Sequence, residues 1–195
     1  MVVVVTFFRR AALTGLMAGW LLLPAATSLA DIAHQKFARI ERGDAPSGTR
    51  VDFSATELNE WIRDEARLYA PGAVRNVKLD LTPGGATGSA LIDFLKLRQA
   101  ATGEAPGWIM KNLFAGEREV TVNVRFASRN RRARVDVDRV EVSGVPIEGS
   151  ALDFLIQTWL RPTFPDVKIN EWFDLGFRVD RFTVQPGGAS VFIGR

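Results

Sequence analysis

The chain has 195 residues, of which 25 are Lys or Arg, 22 are Asp or Glu, one is His and none is Cys. The lack of cysteine excludes disulfides, a lipoprotein-type cysteine anchor and thiolate chemistry, so stability must come from packing, for which 13 Phe and 5 Trp supply material. The small basic excess gives no ground for nucleic-acid binding.

Arg9-Arg10 forms a basic start, residues 11–23 are uncharged and mostly apolar, and Ser28-Leu29-Ala30 fits a small-x-small cleavage site before Asp31. The apolar run of 13 residues falls short of the roughly 20 that a membrane span needs. The pattern predicts a cleaved signal peptide over residues 1–30 and export to the periplasm or cell envelope. The adjacent arginines allow a twin-arginine route but lack its fuller flanking pattern. This leader carries two arginines and no acid, so the remainder balances 23 basic against 22 acidic residues.

Residues 31–50 read as an N-terminal helix and linker, and residues 51–195 as a single α+β domain. Ile32, Phe37 and Ile40 give Asp31–Arg42 one apolar side, and Gly43-Asp-Ala-Pro-Ser-Gly48 breaks regular structure. Ser54-x-x-Glu57 is a capping box for a helix whose stripe is Leu58, Trp61, Ile62, Glu65, Leu68 and Tyr69. Val77, Leu79 and Leu81 alternate with polar residues as a strand with one wet face, and Pro83-Gly-Gly turns the chain. The Ala90–Leu97 run reads as a strand covered on both faces. Ala105–Phe114 is an apolar segment of one to three helical turns.

Val120, Val122, Val124 and Phe126 alternate next, and Asn130 is the turn residue most tolerant of a left-handed conformation. The return strand shifts phase at Asp138-Arg139, and a later one does so at Asp180-Arg181, which predicts two β-bulges and a strongly curved sheet. Leu152, Leu155, Ile156, Trp159 and Leu160 mark a second helix. A helix–strand–Pro-Gly-Gly–strand unit thus occurs twice, around a long central hairpin. The expected fold is α+β: a strongly curved antiparallel sheet of about six strands, with two main helices on its concave face.

Catalysis has little material. His34 is the lone histidine, and nucleophile elbows, zinc-protease helices and Gly-rich phosphate loops are all missing from the sequence. Asp136 and Asp138 imitate a carboxylate pair, but the strand opposite offers Arg125, which favours ordinary ion pairs. The reading is therefore non-enzymatic, with no cofactor and no metal.

The arginines at 125, 129, 131 and 132 concentrate charge on the central hairpin. They suit an anionic membrane surface or a lipid headgroup, against the blander reading of a charge-protected edge. Trp61, Trp108, Met110, Phe114, Leu155, Trp159 and Trp172 form the apolar set, read either as plain core or as the lining of a lipid-binding trough.

Three pieces resemble exported lipid-binding proteins of the LmeA-like and YpmS-like type, related to the tubular lipid-binding superfamily. They are Thr56-Glu-Leu-Asn-Glu-Trp61, Val142-Ser-Gly-Val-Pro-Ile147 with the helix after it, and the closing strand–Gly-Gly–strand. The resemblance implies a lipid or acyl-chain ligand held in a groove between a curved sheet and a helix. The alternative expectation is an envelope interaction module with a solid core, whose apolar 105–114 segment docks on a partner or makes a homodimer.

Overall fold

The computed structural model of the chain describes residues 27–102, 116–157 and 169–195. Helix α1 (Leu29–Glu41) starts two residues earlier than its apolar spacing predicts, because Ser28 forms a capping box with Asp31. Ala30, Ala33, Phe37 and Ile40 recur at three- and four-residue spacing and are buried. The linker after it stays in contact with the body, since the Gly48 amide donates to the Ile193 carbonyl at 3.0 Å and Ala45 is buried.

Strand β1 (Arg50–Ser54) is an element that the sequence pattern does not announce. Its last residue, Ser54, also caps helix α2 (Ala55–Tyr69), with Glu57 completing the expected box. Leu58, Trp61, Ile62 and Glu65 are buried, whereas Leu68 and Tyr69 are exposed, so the buried stripe stops a turn short of the helix end.

Strands β2 (Val74–Thr82) and β3 (Gly85–Asp93) form the first Pro-Gly hairpin. The expected strand over Ala90–Leu97 is cut at Asp93. Its Oδ1 accepts from the Leu95 and Lys96 amides at 3.2 and 3.1 Å and so starts helix α3 (Phe94–Thr102).

The central hairpin pairs β4 (Glu117–Arg129) with β5 (Arg132–Val142). Its two-residue turn holds Asn130 and Arg131 at φ 49° and 61°, the left-handed pair that tight hairpins require. Then follow β6 (Val145–Ile147), helix α4 (Gly149–Leu155), β7 (Trp172–Asp174), and the second Pro-Gly hairpin of β8 (Val179–Gln185) and β9 (Gly188–Ile193).

The fold is α+β, as expected. Six antiparallel strands form an open sheet ordered β2-β3-β4-β5-β6, with β7 also paired to β5. A second sheet, not anticipated, is ordered β1-β9-β8. Both expected bulges are present: Asp138 is skipped between the pairs Val124↔Val137 and Asn123↔Arg139, and Asp180 between Val179↔Ile193 and Arg181↔Phe192. An unforeseen third lies between Arg75 and Lys78, where Asn76 takes φ 52°.

The two sheets are joined where β8 crosses the tips of both hairpins of the larger one. Gly84 N–H donates to the Val184 carbonyl at 3.0 Å, and Arg131 N–H to the Asp180 carbonyl at 2.8 Å. Ser128 Oγ donates to the Phe182 carbonyl at 2.5 Å and accepts from the Phe182 amide at 2.9 Å.

Helix α2 bridges the same two units. At its start Ala55 N–H donates to the Gly187 carbonyl at 3.0 Å. One turn on, Asn59 donates to the Leu79 carbonyl at 2.7 Å and accepts from the Leu79 amide at 2.9 Å, pairing the outer edge of β2 as another strand would. Gly188, at φ 154°, admits the close approach of β1, since a Cβ there would collide with the Phe53 carbonyl.

One buried cluster combines Ala33, Phe37 and Ile40 of α1, Phe53, Leu58, Trp61 and Ile62, and Leu175, Val179, Val191 and Ile193. Burying each large side chain contributes about 1.5–3 kcal/mol. Among the described residues, no helix is long and apolar enough to cross a membrane.

Candidate functional site

An apolar cavity of about 140 Å³ lies between the two sheets and opens partly to the surface. Helices α1 and α2 contribute Phe37, Leu58 and Ile62, and the smaller sheet contributes Phe53, Val179, Phe182, Val184, Ala189 and Val191. The larger sheet supplies Leu79, Leu81, Ala86, Gly88, Val122, Val124, Phe126 and Val135, and Leu175 completes the wall. Every lining residue is apolar or glycine.

The space originates in β3. Its inward positions are Ala86, Gly88 and Ala90, opposite Val124, Val122 and Val120 of β4. Glycine is disfavoured inside a strand, and Gly88 has no positive φ and meets no packing neighbour, because a Cβ built there has nothing within 4 Å. The missing side chain faces open space. This residue was not singled out from the sequence, although the small-residue run Gly84-Gly-Ala-Thr-Gly-Ser-Ala90 carries the signal.

Of the expected apolar set, Trp61 is buried beside the cavity wall, its ring 4.5 Å from that of Phe37. Trp172 is placed elsewhere. It pairs with Arg134 on the sheet face opposite the cavity, where the Arg129 guanidinium lies 5.0 Å from its ring. Its neighbour Phe173, paired with fully buried Ala133, is the β7 residue that packs on the core. Trp108, Met110, Phe114 and Trp159 lie outside the described residues, as does the side chain of Leu155.

Arg125, Arg129 and Arg132 also fall on the far face. Arg125 lies between the cavity-lining Val124 and Phe126 and therefore points the other way. It makes a bidentate pair with Asp138, with contacts of 2.7–2.9 Å, and its guanidinium holds the Asp138 carboxyl below the usual range. Asp138 thus takes the cross-strand ion pair expected of it, whereas Asp136 accepts from Arg134 of its own strand at 2.6 Å instead. Arg132 lies 3.8 Å from Asp174, and Arg131 is exposed in the turn.

Polar groups meet instead at the joint between α1 and α2. Lys36 Nζ reaches both oxygens of Glu57 at 2.8 Å and the Asp52 carbonyl at 2.7 Å. Burial pushes the Glu57 carboxyl up, but Lys36 and the Ser54 amide and hydroxyl outweigh it, so the group titrates below its ordinary value. His34 Nδ1 is 3.7 Å from Oε1 of the buried Glu65, and Nε2 is 3.9 Å from Asp64. These contacts tie the helices together outside the cavity wall. No grouping of His, Asp and Glu among the described residues is arranged to hold a metal.

Comparison with protein-family models, curated proteins and solved structures finds no match for this chain.

Proposed function

We propose that the protein is exported and binds, without catalysis, an acyl-bearing amphiphile such as a phospholipid, with the apolar chain in the cavity between the two sheets. The observation that carries this reading is the wholly apolar lining around the open space at Gly88. Left empty, a void of about 140 Å³ forfeits roughly 3 kcal/mol of packing, a large share of a domain's net stability. Apolar cavities of this size take up benzene-sized groups, on the order of six carbons. Burying six methylenes at about 0.8 kcal/mol each contributes on the order of 5 kcal/mol, enough for useful binding.

Native mass spectrometry of the full chain, expressed with its leader in an exporting host, tests the reading when followed by organic extraction. The expected result is a discrete added mass that extracts as fatty acid or phospholipid. A bare protein mass that stays bare after incubation with phospholipid vesicles would count against it.

A further inference from the structure

We infer that Arg118 is the anion-binding residue at the mouth of the cavity, and that the ligand is a single-chain amphiphile with a carboxylate or phosphate head. This inference rests on the proposed acyl binding and adds the headgroup's place and chemistry.

Val122, Val124 and Phe126 line the cavity, so alternation places Val120 and Arg118 on the same face of β4. The cross-strand partners agree, since Val122 faces Gly88, Val120 faces Ala90 and Arg118 faces Ile92. The inner stripe of β4 thus reads cation, valine, valine, valine, phenylalanine.

The Phe126 end of this stripe is closed by β8, through the hydrogen bonds from Gly84, Ser128 and Arg131. The inner stripe continues the other way, past Ala90 and Val120, and a polar end that leaves in that direction meets Arg118. Arg118 lies four residues beyond Val122, about 14 Å along the strand.

Arg118 is exposed, and no acid among the described residues pairs with it. Three other cations at this end are in ion pairs. Arg75 pairs with Glu117, Lys96 with Asp93 and Arg139 with Glu141, all on registers that point to the outer face or outside the strands. Among the described residues, Arg118 is the one charged side chain on the inner register of β2–β5. A guanidinium ahead of an apolar channel matches a carboxylate or phosphate oxygen pair followed by one hydrocarbon chain. The cavity volume of about 140 Å³ leaves room for one chain end, not two.

The experiment compares dodecanoate, dodecyl phosphate and uncharged dodecanol by isothermal titration against wild type, Arg118→Gln, Arg118→Lys and Arg131→Gln. Wild type should prefer at least one anionic ligand over dodecanol by about tenfold or more, equivalent to about 1.4 kcal/mol, and the preferred anion identifies the head. Arg118→Gln should erase that preference while leaving dodecanol binding unchanged. Arg118→Lys should retain part of it, and Arg131→Gln, at the closed end, should retain all of it. Equal binding of dodecanol and both anions by wild type, or an unchanged preference in Arg118→Gln, overturns the Arg118 assignment and leaves acyl binding standing. Binding of none of the three by wild type overturns both.

Discussion

The two Pro-Gly hairpins are built alike and face each other across the cavity, yet only one leaves space. In each, a two-residue turn follows the same register: Thr82 pairs with Gly85, and Gln185 with Gly188. One step in, Leu81 opposite Ala86 matches Val184 opposite Ala189. The next inward position is Gly88 in the first hairpin and Val191 in the second. Val191 is buried, whereas a Cβ at Gly88 would meet nothing. A related hairpin can therefore be solid core or cavity floor according to one side chain.

Exchanging that side chain gives the largest expected effect. Gly88→Leu should fill the space and lower acyl-ligand binding by at least tenfold, the cost of about 1.4 kcal/mol or more of lost burial. Because glycine weakens a strand interior by roughly 0.5–1 kcal/mol, the variant should also melt no lower than the ligand-free wild type. Full binding in folded Gly88→Leu would place the ligand elsewhere.

The reverse change enlarges the cavity from the opposite wall. Val191→Ala removes two methyl groups from a buried position and should cost about 2 kcal/mol, read as a melting-point drop of roughly 4–8 °C. Added ligand should recover part of this loss, since binding to the native state alone stabilises it. An unchanged melting point would mean that the two walls collapse onto each other, and the contrast between the hairpins would carry no energetic weight.

What the sequence makes legible here is local chemistry. Ser54 with Glu57, the left-handed Asn130, and the phase shifts at Asp138 and Asp180 each declare themselves within a few residues, and each is where it was expected. The parts that escape prediction depend on distant partners. Strand β1 exists because β9 lies beside it, and the hairpin tip around Arg131 is fixed by β8, which follows some 50 residues later. Trp172 and Phe173 look equally apolar in sequence, and only the pairing of β7 with β5 decides which one faces the core. For the same reason aromatic residues are the obvious candidates for a cavity wall, while the residue that leaves the space is a glycine, visible only as an absence.

The hairpins also differ in how they are held. Ser128 clasps the second through Phe182, whereas Asn59 clasps the first through Leu79. Ser128→Ala leaves both polar groups of the Phe182 backbone without that partner and should cost about 1–2 kcal/mol in urea unfolding. No loss of stability would show that β8 is held to the larger sheet by packing alone.

The smallest effect concerns helix α2, which starts at the turn of the second hairpin and reaches the edge of the first. Lys36 and Glu57 secure that start. The folded Glu57 carboxyl titrates below its ordinary value, so it binds fewer protons in the native than in the unfolded state near that value. Its contribution is therefore fully present above the ordinary glutamate pKa of about 4.3 and disappears as pH falls through the lower folded value. Urea unfolding of wild type and Glu57→Gln at stepped pH reads this directly. The stability gap between them should be constant above about pH 5 and close progressively below about pH 4. A gap that persists unchanged into acid would mean that Glu57 holds α2 through its neutral capping bond to Ser54, leaving the link from α1 to both hairpins to Phe37 and Trp61 rather than to charge.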